Sequence, residues 1–503
     1  MAQSLQTVNL VAPGFKGINT EESPLAIDPN FAAIADNCVI DRYGRIASRR
    51  GFEVLSDTVT ALNGEPVESI GVYRDSLGNT EVITCGNNKI MSGVQELTDI
   101  TPAGYTVEGN NWDIVNFNDN LYLFQRGHEP LVYDGTDLGL MSDQSGATVD
   151  PPQGNAVLAA WGRLWTADFE EDKSTVYWSD LLLGSQWTGG SSGSIDIAGV
   201  WPDGYDEVQA LAAHNNLLVI FGKHSIVVYE GADSPSSMTL SDTVSGTGTV
   251  GRETIEYTGT DLLFVSYEGL RSFGRTIQEK SMPMTDLSLN VKQDFLRTLQ
   301  AETEPLRTVY YPERSFMAVL FPSQDLAYVF DTRGTLENGS YRTTRWVDYR
   351  VKSFYRDVTG IMYTGSVDGL GQYAGFLDNT DGYLMKYYSP NLTFNQPAVL
   401  KILKKIKPTI IGGSGSLVRF RWGYDFSGNF KTYTANLLSA EISEFGLDEY
   451  NEAVYSNGVI SKILNINTSG NGTSVIVGLE AEIQGSALSL QEYNIWTMIG
   501  KMV

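Results

Sequence analysis

Short apolar strands separated by turns recur along most of the chain. From Val67 to Tyr373, runs rich in apolar residues end in turns of Gly, Asn or Asp. Four of these runs align as NDNLYLF, WGRLWTA, NNLLVIF and DLLFVS, at spacings of roughly 43 to 54 residues. A small antiparallel sheet cannot cover both of its faces alone, whereas a ring of such sheets can. The pattern predicts an all-β protein built on a β-propeller of six or seven blades, with an ordinary β-sandwich of hairpins as the alternative.

The repeat divides the chain into four predicted segments. Residues 1–52 form an N-terminal arm that docks on or closes the propeller, and residues 53–386 form the propeller itself. Residues 387–484 form a second β-rich module, in which the acidic stretch Ala440–Ser456 is expected to be an exposed loop or tip. Residues 485–503 are predicted to be a C-terminal strand that returns to the core.

Three stretches depart from the strand pattern. Ser281–Pro305, a helical insertion at 281–305, has its leucines at helical spacing and predicts an amphipathic helix. Asp28 directly before Pro29 fits a helix N-cap, so Phe31–Ala35 is predicted to make about two helical turns. Ala398–Pro408 alternates apolar residues with lysines and fits either a helix or a strand.

The composition fits a large soluble β-protein. The chain has 503 residues, 51 glycines and 26 tyrosines, and only 19% of its residues are charged, which favours short strands and tight turns. The net charge of −25 argues against a protein that wraps DNA, because such binding relies on neutralising phosphates. There is no apolar run of about eighteen residues and no signal peptide, so we expect a soluble protein made in the cytoplasm.

No pattern for catalysis, a metal or a cofactor stands out. The three histidines, His128, His214 and His224, have no metal-binding spacing, and the G-x-S-x-G elbow of hydrolases is missing. Cys38 and Cys85 are predicted to be free thiols in the core. We therefore expect a protein that is not an enzyme and that holds neither a metal nor a cofactor.

Two basic clusters contrast with the acidic background. One lies in the N-terminal arm and the other in the second β-rich module. We predict that they dock an acidic partner, either another subunit or an adaptor ring. The alternative is a solvated face balanced by nearby acids, since surface ion pairs contribute little. The candidate docking residues are Arg42, Arg45, Arg49, Arg50, Lys401, Lys404, Lys405 and Lys407.

Phe15–Phe52 carries a series of short motifs. It opens with G-x-N-T-x-x-S-P-L at Gly17–Leu25, continues with Asn37, and closes with a G-R…R-x-G pattern at Gly44–Gly51. In these elements it resembles the N-terminal signature of the tail nozzle proteins (tail tubular protein B-like) of short-tailed bacteriophages, the podoviruses. In that family a lysine-rich strand and a final strand, here loosely matched by Gly485–Ile495, belong to a β-sandwich-like platform.

The resemblance implies a structural protein of the virion tail, assembled in the host cytoplasm. Members of the family form a six-fold ring below the portal and adaptor rings, tail fibres dock nearby, and the genome is ejected through the ring. Because a propeller's own channel is too narrow and filled for duplex DNA, the duplex would run between subunits around a cyclic axis. An acidic lining would keep contact with the genomic DNA transient and without sequence specificity.

Two other functions are compatible with a propeller. A virion protein that binds or degrades glycans is the main alternative, because propellers also host glycosidases that use two facing carboxylates. The 60 acidic residues do not single out such a pair. A cellular scaffold propeller is the third hypothesis.

Overall fold

Strands make up nearly all of the regular structure in a computed structural model of the chain. It describes residues 5–11, 14–56, 61–86, 89–107, 112–279, 286–437 and 461–502. Within these residues two α-helices occur, α1 (Phe273–Glu279) and α2 (Lys292–Ala301), and neither is long and apolar enough to cross a membrane. The N-terminal segment (residues 5–56) contributes β1 (Leu5–Asn9), β2 (Ile34–Asp36), β3 (Cys38–Ile40), β4 (Ile46–Ser48) and β5 (Glu53–Ser56).

Five antiparallel blades follow one another along the chain, each built from consecutive strands. Blade 1 has β6 (Ser69–Arg74), β7 (Thr80–Gly86), β8 (Lys89–Ser92) and β9 (Thr98–Asp99). Blade 2 has β10 (Trp112–Phe117), β11 (Asn120–Gln125), β12 (Leu131–Tyr133) and β13 (Leu138–Leu140). Blade 3 has β14 (Ala156–Ala160), β15 (Arg163–Ala167), β16 (Thr175–Trp178) and β17 (Gly193–Asp196). Blade 4 has β18 (Val208–His214), β19 (Leu217–Gly222), β20 (Ser225–Glu230) and β21 (Thr239–Ser245), and blade 5 has β22 (Ile255–Tyr257), β23 (Leu262–Ser266) and β24 (Gly269–Ser272).

The last two blades close the ring by sharing strands with other parts of the chain. Blade 6 has β25 (Arg307–Tyr311), β26 (Phe316–Phe321), β27 (Leu326–Thr335) and β28 (Tyr341–Val347), and it continues into a larger sheet. Blade 7 has β29 (Val351–Arg356), β30 (Met362–Ser366) and β31 (Gly369–Gln372), and it takes β5 as its outer strand. The inner strand β29 lies against β6 of blade 1. The predicted β-propeller is confirmed. Blades 1–5 and blade 7 are separate sheets, and the strands of blade 6 belong to the larger sheet that continues into β2 and β32.

A β-sandwich-like platform packs beside the propeller, as predicted. Its strands are β32 (Tyr383–Tyr388), β33 (Val399–Gly412), β34 (Leu417–Tyr424), β35 (Lys431–Asn436), β36 (Ser461–Ile463), β37 (Ile466–Asn467), β38 (Val475–Ile483) and β39 (Leu488–Met502). One sheet runs β25-β26-β27-β28-β2-β32-β38-β34-β35, and the other runs β3-β4-β39-β33-β36, with β1 beside β39 and β37 beside β33. Buried side chains of both sheets, such as Phe420, Leu479, Ile406 and Ile495, form one core.

The N-terminal segment joins the propeller to the platform. Strand β2 lies between β28 of blade 6, in parallel pairing, and β32 of the platform, in antiparallel pairing. Arg345 of β28 binds Asp36 of β2 and Asp294 of α2, each at 3.0 Å. Gly17 has a φ of +87°, and a side chain there would begin 2.5 Å from the backbone nitrogen of Thr343. Close backbone approach therefore explains one glycine of the N-terminal motif.

The short helix predicted at Phe31–Ala35 is wrong. The Asp28 carboxylate accepts a hydrogen bond from the Asn30 amide at 2.9 Å and so holds a turn, and Ala32 pairs with Ile18 in an isolated bridge. A run this short cannot repay the cost of helix nucleation, and pairing with a neighbouring segment supplies the backbone hydrogen bonds instead.

The other stretches that depart from the strand pattern have mixed outcomes. The helix predicted within 281–305 is confirmed as α2, whose Phe295 is buried in the platform core. Ala398–Pro408 forms most of β33, so the strand alternative holds there. The platform begins with β32, four residues before the predicted start at 387, and β39 ends the chain inside the platform sheet. The predicted acidic tip at Ala440–Ser456 lies outside the described residues.

Candidate functional site

Arg49 is fully buried where the N-terminal segment, blade 7 and the platform meet. Its two terminal nitrogens donate to the two oxygens of Asp378, both at 2.6 Å, and its Nε donates to Asn37 at 3.0 Å. The rings of Tyr349 and Tyr383 lie 4.6 and 4.0 Å from the guanidinium carbon. Burial alone would lower the pKa of Arg49, but the Asp378 carboxylate outweighs it and the pKa is raised. Arg49 therefore links the N-terminal segment to the segments around Tyr349, Asp378 and Tyr383, and its side chain is not accessible to a partner.

The other arginines of the first cluster divide into buried and exposed. Arg45 is 4% exposed, and its Nε donates to Asp41 at 2.6 Å. Arg50 is 8% exposed. The predicted docking role is therefore corrected for Arg45, Arg49 and Arg50, because their side chains lie inside this chain. Only Arg42, at the tip of the β3–β4 hairpin, is exposed.

The second cluster lies on β33 and also contains both buried and more exposed side chains. Lys401 is fully buried, and its ammonium group donates to the carbonyls of Gln396 and Thr473, the latter at 2.7 Å. Burial lowers the pKa of this lysine, and docking by Lys401 is corrected as well. The other three lysines of the cluster reach the outer face of the sheet to different extents; they are Lys404, Lys405 and Lys407.

One end of the propeller axis is closed by two arginines. The inner strands begin at this end, and Arg252, just before β22, donates to the carbonyls of Asn155 at 2.8 Å and of Trp112. Arg307, the first residue of β25, is 4% exposed; it pairs with Glu253, and its Nη2 lies 3.4 Å from the carbonyl oxygen of Glu68. Together they connect blades 1, 2, 3, 5 and 6 across the axis.

Three carboxyl groups beside the inner strands hold their protons unusually tightly. Burial is the main cause in each case, and it raises the pKa of Glu68 and of Glu256 to about 7 and the pKa of Asp113 to about 6. Arg307 partly offsets the effect at Glu68, and Arg252 does so at Asp113. A carboxyl group with a raised pKa can act as a general acid near neutral pH.

These raised pKa values predict that stability falls between about pH 5 and pH 7. In that window the folded chain binds protons that the unfolded chain, with ordinary carboxyl pKa values, has already released, so a rise in pH favours unfolding. We expect the melting temperature to decrease across the window in scanning fluorimetry. The Glu68→Gln/Glu256→Gln variant should show a shallower decrease. An identical slope in the wild type and the variant would contradict the assignment.

The opposite end of the axis is open. A cavity of about 350 Å³ lies where the inner strands of blades 7, 1 and 2 end. Acidic side chains of three turns line it, together with one arginine and several apolar groups. The lining includes Arg74, Asp75, Asn116, Phe117, Asp119, Tyr355, Asp357 and Val358.

The remaining candidate groups serve packing. Ring contacts hold His128 against Tyr105 and His214 against Phe273. Cys38 and Cys85 are free and buried, as predicted, and burial raises the pKa of both thiols. Across the part of the chain that the structure describes, no three His, Cys, Asp or Glu side chains come together as metal ligands.

Sequence reasoning missed the charged residues of the axis. Glu68, Asp113 and Arg307 each stand at or next to the start of an inner strand, where the repeat otherwise favours apolar residues. A charge at this equivalent position in several blades was the available signal. The partner Arg252 begins a short 3-10 helix, and Asp378 lies in an isolated β-bridge. No spacing in the sequence relates them to the residues they bind.

Comparisons with known proteins give no family for this chain. No protein-family model matches the chain, and no curated protein matches it significantly. Similar solved structures include YCF48 bound to D1 peptide, with 8% identity, a TM-score of 0.36, and coverage of 58% of this chain and 88% of that one. Kluyveromyces lactis Hsv2 has 12% identity, a TM-score of 0.36, and coverage of 53% and 83%. The WD40 β-propeller domain of Doa1 has 11% identity, a TM-score of 0.36, and coverage of 64% and 96%. Similarity at this level assigns no ligand or activity to this chain.

Proposed function

We propose that this chain is a structural subunit of a short phage tail, the nozzle, whose copies form a ring through which the genome is ejected. The observation that carries the proposal is the motif series in Phe15–Phe52, which resembles the tail nozzle family. In this role the protein has no catalytic residues and no cofactor, and its partners are further copies of itself, an adaptor ring and tail fibres.

The position of the motif segment supports this proposal. Residues 14–56 supply β2 between propeller and platform and β5 at the edge of blade 7, and the buried pair of Arg49 and Asp378 fixes their position. The segment that carries the resemblance therefore determines how the two modules are held together. Two modules held as one body suit a subunit that must keep its shape while DNA passes.

The closed propeller axis determines where DNA would pass. Arg252 and Arg307 cross the axis near the inner-strand starts, and a single propeller blocked in this way has no room for a DNA duplex. The conduit would therefore lie between copies arranged about a cyclic axis. The net charge of −25 is consistent with a lumen that repels phosphates and lets the duplex slide.

Labelling of virions tests the proposed role. An antibody raised against the purified chain is expected to place gold particles at one vertex of each short-tailed phage particle, where the tail lies. Particles assembled without the chain should lack the distal part of the tail. Label spread over the capsid, or a normal tail in its absence, would refute the proposal.

A glycan-degrading virion protein is the second candidate. Its supporting observation is the set of carboxyl groups with raised pKa values near the propeller axis, Glu68, Glu256 and Asp113. Incubation with host polysaccharide would then release reducing ends, and Glu68→Gln or Glu256→Gln would abolish the release. No release by the wild-type chain would dismiss this candidate.

A further inference from the structure

The open end of the propeller axis combines exposed apolar side chains with acidic groups. Leu77 and Val358 are 86% and 76% exposed on neighbouring turns of blades 1 and 7. Asp75, Asp119 and the buried Asp357 line the cavity with Val358, and the Leu77 amide donates to Asp75 at 3.0 Å on the adjoining turn. These five residues are named the acidic mouth. Large apolar side chains grouped at one place, and not scattered singly, are typical of a contact surface.

The carboxylates of the acidic mouth accept hydrogen bonds from groups of their own turns. Asp119 accepts hydrogen bonds from the Ser76 amide at 2.6 Å and from its hydroxyl at 3.0 Å, and Asp357 accepts from the Thr359 amide and hydroxyl. Hydrogen bonds from Asn79 lower the pKa of Asp75. These donors are neutral, and the three aspartates outnumber Arg74, the cation in the same lining, so the mouth carries a net negative charge that a basic partner would complement.

A basic surface whose charge is complementary to that of the acidic mouth lies on the β3–β4 hairpin. Its tip consists of Arg42, which is exposed, and Tyr43, which is 54% exposed; these two residues are named the basic tip. The guanidinium carbons of Arg42 and Arg45 lie 4.7 and 4.6 Å from the centre of the Tyr43 ring. The tip is thus a cationic and aromatic projection.

The surroundings of the basic tip hold it in place and add positive charge. Arg333 donates to the carbonyl of Ile40 at 2.6 Å and to that of Asp41. Arg333 and Arg342 share the carboxylate of Asp331. Four arginines with two aspartates give this region the charge opposite to that of the acidic mouth.

We propose that the basic tip of one copy inserts into the acidic mouth of a second copy of this chain. The inference rests on the proposed ring, which requires contacts between copies. In this contact Arg42 pairs with the carboxylate of Asp119, which is exposed, and Tyr43 packs on Leu77 and Val358. Arginine and tyrosine are the residues that most often dominate the energy of an interface.

The two surfaces lie in different parts of the chain. The hairpin is held against blade 6, where the Thr344 hydroxyl donates to the Cys38 carbonyl at 2.9 Å, whereas the mouth lies at the axis between blades 7, 1 and 2. A contact between unlike patches is heterologous, and its repetition produces a ring when the rotation closes. Each copy then offers one tip and one mouth.

Charge exchange at exposed positions tests the contact without disturbing the turns. Arg42→Asp reverses the charge of the tip, and Leu77→Lys/Val358→Lys adds two positive charges to the mouth and removes its apolar contact, while leaving the turn-forming aspartates intact. In sedimentation velocity of the full chain over a range of concentrations, we expect the wild type to associate and each reversed variant to associate about tenfold more weakly or worse. Combining both changes in one chain should recover part of the association, since the carboxylate introduced at position 42 then faces the two introduced ammonium groups.

Matched controls separate this contact from general effects of charge. Arg297→Asp changes an arginine that is 80% exposed on α2, and Val149→Lys changes a valine that is 89% exposed in a loop; both should associate like the wild type. A wild-type chain that stays monomeric, or a combined variant that recovers none of the association, overturns the inference. If the single reversals associate normally, the inference fails while the proposed tail role, tested on virions, is unaffected.

Discussion

Replacing Arg49 with methionine is expected to lower the free energy of unfolding by about 3 to 5 kcal/mol, the usual cost of removing one partner of a buried ion pair. Arg49 is fully buried, and Asp378 is 6% exposed, so the variant leaves a carboxylate without its cation inside the protein. Equilibrium unfolding in urea, followed by tryptophan fluorescence, measures the loss.

Two further variants make this result specific. Arg297→Met removes an arginine whose side chain is 80% exposed, and it should change stability by no more than about 0.5 kcal/mol. Arg49→Met/Asp378→Leu should regain part of the loss, because no buried charge remains unpaired. If Arg49→Met and Arg297→Met had equal effects, the N-terminal segment would not be held as described.

Trp346→Ala is expected to cost about 3 to 5 kcal/mol, as large-to-small changes of buried aromatic residues do. Trp346 of β28 is fully buried. Its ring stacks on Tyr373 at 5.4 Å and meets Phe316 edge-on at 5.5 Å. Its indole N–H donates to the carbonyl of Cys38 at 3.3 Å. One side chain therefore contacts blade 6, the segment after blade 7 and the N-terminal hairpin.

The region that Trp346→Ala destabilises shows whether Trp346 links the hairpin to blade 6 or only fills volume in the core. In hydrogen exchange measured by mass spectrometry, Trp346→Ala should speed exchange in residues 38–48 more than in blade 3, which Trp346 does not contact. Trp346→Phe keeps an aromatic ring and loses only the indole hydrogen bond, so its effect should be smaller. Uniformly faster exchange in every blade would argue against a local link between the hairpin and blade 6.

The propeller could be predicted because its signal is local. Each strand in NDNLYLF or WGRLWTA follows from alternating apolar residues and an adjoining turn, and the repeat spacing then gives the ring. The outer strands, such as β9 and β13, were missed because they are two or three residues long and pair through one edge. A pattern this short carries little information about its partner.

The joining of the two modules could not be predicted, because it depends on pairings between distant segments. Phe31–Ala35 has a local preference that suggests a helix, yet β2 pairs with strands more than 300 residues away. The arginines at 45 and 49 appeared as a surface cluster because sequence reveals charge and not burial. Both arginines are buried because each forms an ion pair inside the protein, with Asp41 and Asp378. Of these two partners, only Asp41 is near in sequence.

A cryo-electron microscopy map of the tail in an assembled particle tests the central claim most directly. The account predicts copies of this chain arranged about a single rotational axis, a lumen wide enough for duplex DNA between the copies, and every propeller axis closed at Arg252 and Arg307. A particle in which the chain is monomeric, or in which DNA density runs through the propeller itself, would contradict it.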